Sequence, residues 1–69
     1  MTNNLALNLK RIRGLRDLTQ WALSLKANVT PQTVTNIETG KNKKPRPGTI
    51  KALARALQVD ESELIGGPG

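Results

Sequence analysis

The stretch QWALSLKANVTPQTVTNIET, Gln20 to Thr39, reads as two short helices joined by a tight turn. Thr19, just before it, and Thr30, within it, are residues whose hydroxyls accept from first-turn amides, so each predicts a helix start. In the first helix Leu23 is the inward apolar position. In the second, Val34 and Ile37 lie three apart and form the inner stripe, while Val29 plugs the junction. Asn28 precedes Val29, and asparagine is the residue after glycine that best tolerates the left-handed backbone of such a turn.

The second helix is clearly punctuated. Pro31 stands where a missing N–H costs nothing, and Gly40 lies just past the last apolar residue, which bounds the helix at about 31 to 38. Its outward face carries Gln32, Thr33, Thr35, Asn36 and Thr39, all uncharged hydrogen-bonding side chains. The loop that follows reads Lys41, Asn42, Lys43, Lys44, Pro45, Arg46. A donor and acceptor face followed by cations suits a surface that reads base edges while holding phosphates. The plainer alternative is a solvated helix and a solvated charge run.

With the run LTQWALSLKANVTPQTVTNIETGKNKKP and the later TIKALARALQVDESEL, the chain resembles the Cro and repressor type of helix-turn-helix DNA-binding domain. That type occurs in lambdoid phage regulators, restriction-modification controller proteins and antitoxins. The resemblance covers about Leu5 to Ile65. It implies an all-α, compact five-helix, lambda-repressor-like domain with helices 2 and 3 as the helix-turn-helix and helix 3 in the major groove. It also implies an ion pair between Arg13 and Glu38, tying the first helix to the third; contact of Arg13 with DNA is the other reading. The glutamine after the capping threonine touches the DNA backbone in the family, a role that falls on Gln20. Free amides and the positive end of a helix dipole at that position suit a phosphate as well. Against the family pattern, Asn28 replaces the common turn glycine and Ser24 replaces a small alanine. The Ser24 hydroxyl therefore needs an acceptor, for which the carbonyl four residues back is the candidate.

On the recognition helix Gln32 and Asn36 lie four apart and share a face, and either amide can make the two-bond contact to adenine N6 and N7. Thr33 and Pro31 complete the candidate base contacts, the proline ring against a thymine methyl. Candidate phosphate contacts are Gln20, Thr30, Thr35, Lys41, Lys43, Lys44 and Arg46, with a narrow minor groove as the alternative for Arg46. Trp21 is the one aromatic residue. Three roles are open to its indole: packing on its own helix, flanking the DNA backbone through Nε1–H, or joining a protein contact.

Composition limits the alternatives. Sixty-nine residues make one domain with no room for a deep cleft. Cysteine and histidine are absent, which removes disulfides and the usual zinc ligands. Eleven Lys and Arg against five Asp and Glu give +6, and a pI near 10.6 favours a polyanionic partner. No apolar run approaches the ~20 residues of a membrane span, and Met-Thr-Asn-Asn does not begin a signal peptide, so a cytoplasmic, nucleoid-associated protein is expected. A single aromatic residue disfavours a single-strand binder built on stacking.

Along the chain, Asn3 or Asn4 is the candidate cap of a first helix in which Leu5, Leu9 and Ile12 recur at helical spacing. Leu7 is off that stripe. Gly14 is expected to fray the helix, with Leu15 and Leu18 folding back. Pro47 opens a fourth helix carrying Ile50, Leu53, Ala54 and Leu57, for which Arg46 is a poor cap. Val59 closes the core, and Asp60 with Glu63 resembles a capping box for a short fifth helix with Leu64 and Ile65. The domain is expected over 1–65, with 66–69 a flexible Gly/Pro tail.

The function expected is that of a sequence-specific double-stranded DNA-binding transcription regulator, needing no cofactor, metal or small-molecule substrate. It is expected to pair weakly, as a homodimer or on a two-fold operator, through Leu64, Ile65 and the loop before the fourth helix. The alternative is an antitoxin or protein-interaction module of the same fold. An enzyme is disfavoured: Asp17, Glu38, Asp60, Glu61 and Glu63 go to surface, pairing or capping, and no nucleophile and base remain.

Overall fold

The computed structural model describes residues 5–66, and all regular structure among them is helical. The elements are α1 (Leu5–Leu15), α2 (Gln20–Ala27), α3 (Pro31–Glu38), α4 (Pro47–Leu57) and α5 (Glu61–Ile65). The candidate caps Asn3 and Asn4 and the tail residues 67–69 lie outside the described residues.

Each helix contributes an apolar stripe to one core. Leu5, Leu9 and Ile12 come from α1, Leu23 and Ala27 from α2, Val34 and Ile37 from α3, Leu53, Ala54 and Leu57 from α4, and Leu64 from α5. Leu18, Val29, Ile50 and Val59, on the connections and on α4, pack against this cluster half-buried. Helix α2 lies against α3 and α4, α1 against α3 and α5, and α4 against α5. An eight-residue helix alone is marginal in water, where roughly 12–15 residues are needed, so α2 and α3 persist through this packing.

The caps fall where side-chain chemistry puts them. Thr19 Oγ1 accepts from the Ala22 N–H at 3.0 Å, and Thr30 Oγ1 from the Thr33 N–H at 3.2 Å. Arg46 makes no side-chain cap, so Pro47 alone opens α4, while Asp60 and Glu63 form the capping box of α5. Asn28 ends α2 at φ 58°. Its N–H and that of Val29 turn back to the carbonyls of Leu25 and Ser24.

Four expectations are corrected. Gly14 does not fray α1, which runs on to Leu15 and reverses at Asp17 (φ 57°); the helical pattern outweighs one glycine, whose cost is only about 1 kcal/mol. Leu15 does not fold back with Leu18 but is 69% exposed. Ser24 donates to the carbonyl of Trp21, three residues back rather than four, at 2.6 Å. Leu64 is fully buried and cannot form a contact between copies, because Asn8 Nδ2 donates to its carbonyl and holds α5 against α1. A further tie was not anticipated: Arg16 Nε donates to the Leu57 carbonyl at 2.8 Å, closing the C-terminal end of α4 where the helix dipole favours a cation.

Gln58 ends α4 in the left-handed region at φ 60°, a conformation that costs a side chain with a long aliphatic stem roughly 1–2 kcal/mol. Gln58→Gly is therefore expected to raise stability by about 0.5–1 kcal/mol, the relief of strain less the larger unfolded-state freedom of glycine. Asn28→Gly should gain less, because asparagine already tolerates its conformation. Urea unfolding of the two variants checks the order.

Candidate nucleic-acid interface

Helix α3 turns Val34, Ile37 and the Glu38 carboxylate inward and leaves its other side to solvent. Gln32 and Pro31 are exposed, and Thr33, Thr35 and Asn36 are half-buried. Gln32 Nε2 donates to Asn36 Oδ1 at 2.8 Å, so the two amides form one unit on the outer side. The hydroxyls of Thr30 and Thr33 share a hydrogen bond of 2.9 Å.

The inner edge of α3 is held by a chain of polar contacts. Arg13 Nε and Nη2 donate to Glu38 Oε2 and Oε1 at 2.7 and 3.0 Å, and Arg13 Nη1 donates to the Leu18 carbonyl at 2.8 Å. The Glu38 side chain is 1% exposed and that of Arg13 18%. Its hydrogen bonds to Glu38 hold the Arg13 guanidinium above its ordinary value; burial opposes this and the charge of Glu38 adds to it. An arginine raised in this way stays protonated throughout the physiological range, so the pair does not respond to pH through Arg13.

Gln20 extends the chain, and here the placement departs from expectation. Its Nε2 donates to Glu38 Oε1 at 3.0 Å, and its Oε1 accepts from the Thr35 hydroxyl at 2.9 Å. Both ends of the Gln20 side chain are thus engaged between α2 and α3 rather than presented to a phosphate, and the Thr35 proton is directed inward with it. A glutamine bridging a buried carboxylate and a hydroxyl satisfies both, which outweighs its solvation at the surface. No local sequence signal marks this, because its partners lie 15 and 18 residues away.

After α3 the chain turns at Gly40 (φ 83°), and Lys41, Lys43, Lys44 and Arg46 are all exposed. Asn42 shapes this loop: its N–H donates to the Asn36 carbonyl at 3.0 Å, and its Oδ1 accepts from the Lys44 N–H at 3.2 Å. Buried Pro45 anchors the far end. The sequence reading missed both residues, although asparagine bonding to the backbone two residues on is a recognisable turn signal. On α2, Trp21 is 63% and Leu25 60% exposed, so the indole stands at the surface; Leu7 on α1 is 65% exposed.

Elsewhere an open pocket of about 310 Å³ between α2 and α4 is lined by Lys26, Ala27, Ala52, Arg55 and Ala56. That lining offers no carboxylate, hydroxyl or thiol. Among the described residues no helix is long and apolar enough to cross a membrane, and no cluster of acidic, histidine or cysteine side chains is fit for a metal.

Two capped helices meeting at a left-handed asparagine, with a second-helix face of amides and hydroxyls, agree with the match of the helix-turn-helix family model to residues 9–64. The chain belongs to the helix-turn-helix family. Its sequence is 36% identical over 61 residues to the uncharacterized HTH-type transcriptional regulator RghRB of Bacillus subtilis, a match covering 88% of this chain and 44% of that protein. The chain thus spans less than half the length of that relative. In structure, this helix-turn-helix chain is similar to the restriction-modification controller protein C.AhdI from Aeromonas hydrophila, with TM-score 0.82 and 25% identity over 87% of this chain and 89% of that one. It also shares the fold of the DNA-binding domain of the P22 C2 repressor, with TM-score 0.80 and 22% identity over 90% and 82% of the two chains.

Removing one partner of the Arg13 and Glu38 pair leaves a buried charge without its counter-ion. Arg13→Met should cost about 3 kcal/mol in chemical unfolding, whereas Arg13→Met combined with Glu38→Leu should recover most of it. Equal losses from the single and double variants would show that packing, not charge, holds this junction.

Proposed function

We propose that this chain is a sequence-specific double-stranded DNA-binding transcription regulator, with α3 entering the major groove. The observation that carries the reading is the outer side of α3: uncharged donors and acceptors stand out from the protein, and the exposed cationic loop follows directly. Gln32, Asn36, Thr33 and Pro31 face base edges in this arrangement, while Lys41, Lys43, Lys44 and Arg46 neutralise phosphates. Thr30 is at hand for a phosphate. The part first assigned to the Gln20 side chain passes to the amides of Gln20 and Trp21, which precede the first intrahelical bond of α2, from the Leu23 N–H to the Thr19 carbonyl. Thr35 contributes to a phosphate only by releasing Gln20.

One such domain covers few base pairs, so the site is a two-fold operator bound by two copies. Pairing is weak in solution and assisted by DNA, with exposed Ile65 and the loop before α4 as the surfaces left for it. The setting is the cytoplasm, and no catalytic step is involved. A second reading, an antitoxin or interaction module, draws on exposed Trp21 and Leu25, which stand one turn apart on α2.

A salt titration with a selected duplex separates these readings. With about five phosphates neutralised, log K should fall against log salt with a slope of roughly −4 to −5 per protomer. Lys44→Ala should weaken every sequence alike and reduce the slope by about 1, whereas Gln32→Ala should relax preference at one base pair. A slope near zero removes the phosphate-binding half of the proposal and favours the interaction module, whereas equal and sequence-blind losses from both variants overturn the division of roles between Gln32 and Lys44.

A further inference from the structure

Away from α3, a groove runs between the last turn of α2 and the second half of α4. The hollow of about 310 Å³ against Ala27, Ala52 and Ala56 shares Lys26 and Ala56 with a smaller one of about 150 Å³ that reaches Arg16, so the two are continuous. Alanine methyl groups form the floor of the larger hollow, and the exposed cations Lys26, Arg55 and Arg16 stand along the groove. No carboxylate lines either hollow.

Cations near the C-terminal ends of helices ordinarily offset the negative end of the helix dipole. Arg16 does so at the end of α4, donating to the Leu57 carbonyl at 2.8 Å. Lys26 and Arg55 are not engaged in that way: among the described residues neither side chain makes a hydrogen bond or an ion pair. They line one hollow from opposite helices, and an anion seated there meets both at once. The groove also stands apart from the surface assigned to DNA. Helices α2 and α4 begin at Gln20, bonded to α3, and at Pro47, after the cationic loop, whereas Lys26 and Arg55 lie about 9 and 12 Å further along them.

We infer that this groove is a docking site for an acidic segment of a partner protein, in which an aliphatic side chain rests on the alanine floor and the carboxylates flanking it pair with Lys26 and Arg55. Each half of that description comes from one part of the groove. Its cations suit carboxylates, as in other sites that recognise acidic motifs, and its alanines suit a side chain without polar atoms. Nucleic acid is the poorer occupant, because the larger hollow offers no aromatic ring for a base to stack on and no uncharged amide or hydroxyl for a base edge. The site does not rest on α3 reading DNA; with α3 in a major groove, the chain holds duplex and partner together.

The test titrates the full chain into a short fluorescein-labelled peptide in which glutamates flank a central leucine, at about 0.15 M salt, where exposed charges more than ~8 Å apart are largely screened. Fluorescence anisotropy should show saturable binding, weakened roughly tenfold or more by Lys26→Glu with Arg55→Glu and less by Lys26→Gln with Arg55→Gln. Thermal unfolding checks that the helices are retained, and the glutamine pair carries the test if the glutamate pair melts. Lys44→Ala, in the loop after α3, should change the peptide affinity by less than about twofold, and so should a bound duplex. The inference fails if the wild-type chain does not bind the peptide, if a peptide with glutamine for glutamate binds as well, or if the groove variants bind like the wild type. It fails too if the duplex expels the peptide, which places the peptide on the α3 side, or if a single-stranded oligonucleotide competes through Lys26 and Arg55, which makes the groove a nucleic-acid site. Groove-dependent peptide binding by a chain that holds no duplex supports the inference while the reading as a DNA-binding regulator falls.

Discussion

The Glu38 carboxylate is a buried charge at the end of a helix too short to stand alone, and the junction of α1, α2 and α3 is built to satisfy it. Arg13 supplies a two-bond partner from α1, and Gln20 supplies a third donor from α2. Such a cluster adds little net stability, because taking both charges out of water costs about as much as their attraction returns. What it does provide is direction. The three donors converge on two oxygens, and a slide or rotation of α3 along its apolar stripe would break them, while dispersion contacts alone would tolerate the movement.

That constraint determines which side chains remain for other work. With Val34, Ile37 and Glu38 inside and Thr35 bonded to Gln20, the outer side of α3 is left to Gln32, Thr33 and Asn36. The carboxylate closest in sequence to this surface is the one that is buried and neutralised. Asp60, Glu61 and Glu63 stand at the start of α5, where a helix N-terminus favours acidic groups. Among the described residues the cations after Gly40 have no salt-bridge partner.

Local chemistry made much of this legible. The apolar stripes, Thr19 and Thr30 as caps, Pro31 at a helix start, Asn28 at the turn and the Asp60 capping box each depend on residues within four positions, and the chain forms them as read. Three of the departures have a different character. Gln20 turns inward to groups 15 and 18 residues away, Arg16 closes a helix whose end is 41 residues off, and Leu64 is taken into the core by α1. Polar side chains on a short helix have no periodicity that reports their direction; it is decided by the partner that tertiary packing brings up. The left-handed Gln58 was not legible either, since nothing in its side chain favours that backbone. On the amide face, sequence spacing placed Gln32 and Asn36 together, but only the structure shows the hydrogen bond between them.

Order in this surface follows what each interaction demands. A hydrogen bond to a base edge weakens steeply once it bends away from linear, so the amides must be held, and α3 is fixed through Glu38 and by its own cross-turn bond. Attraction between a lysine and a phosphate acts over a screening length of about 8–10 Å and needs no fixed angle. The backbone of the Lys41 to Arg46 loop is accordingly shaped by Asn42 and Pro45, while its long side chains extend into solvent. Holding those cations rigidly would add little affinity and would remove rotamer freedom worth roughly 1.5–2 kcal/mol for each side chain. The same reasoning explains why the buried ion pair belongs on the protein side of α3 and the mobile charges on the other. Direction is conferred where water is excluded, and charge is left free where water remains.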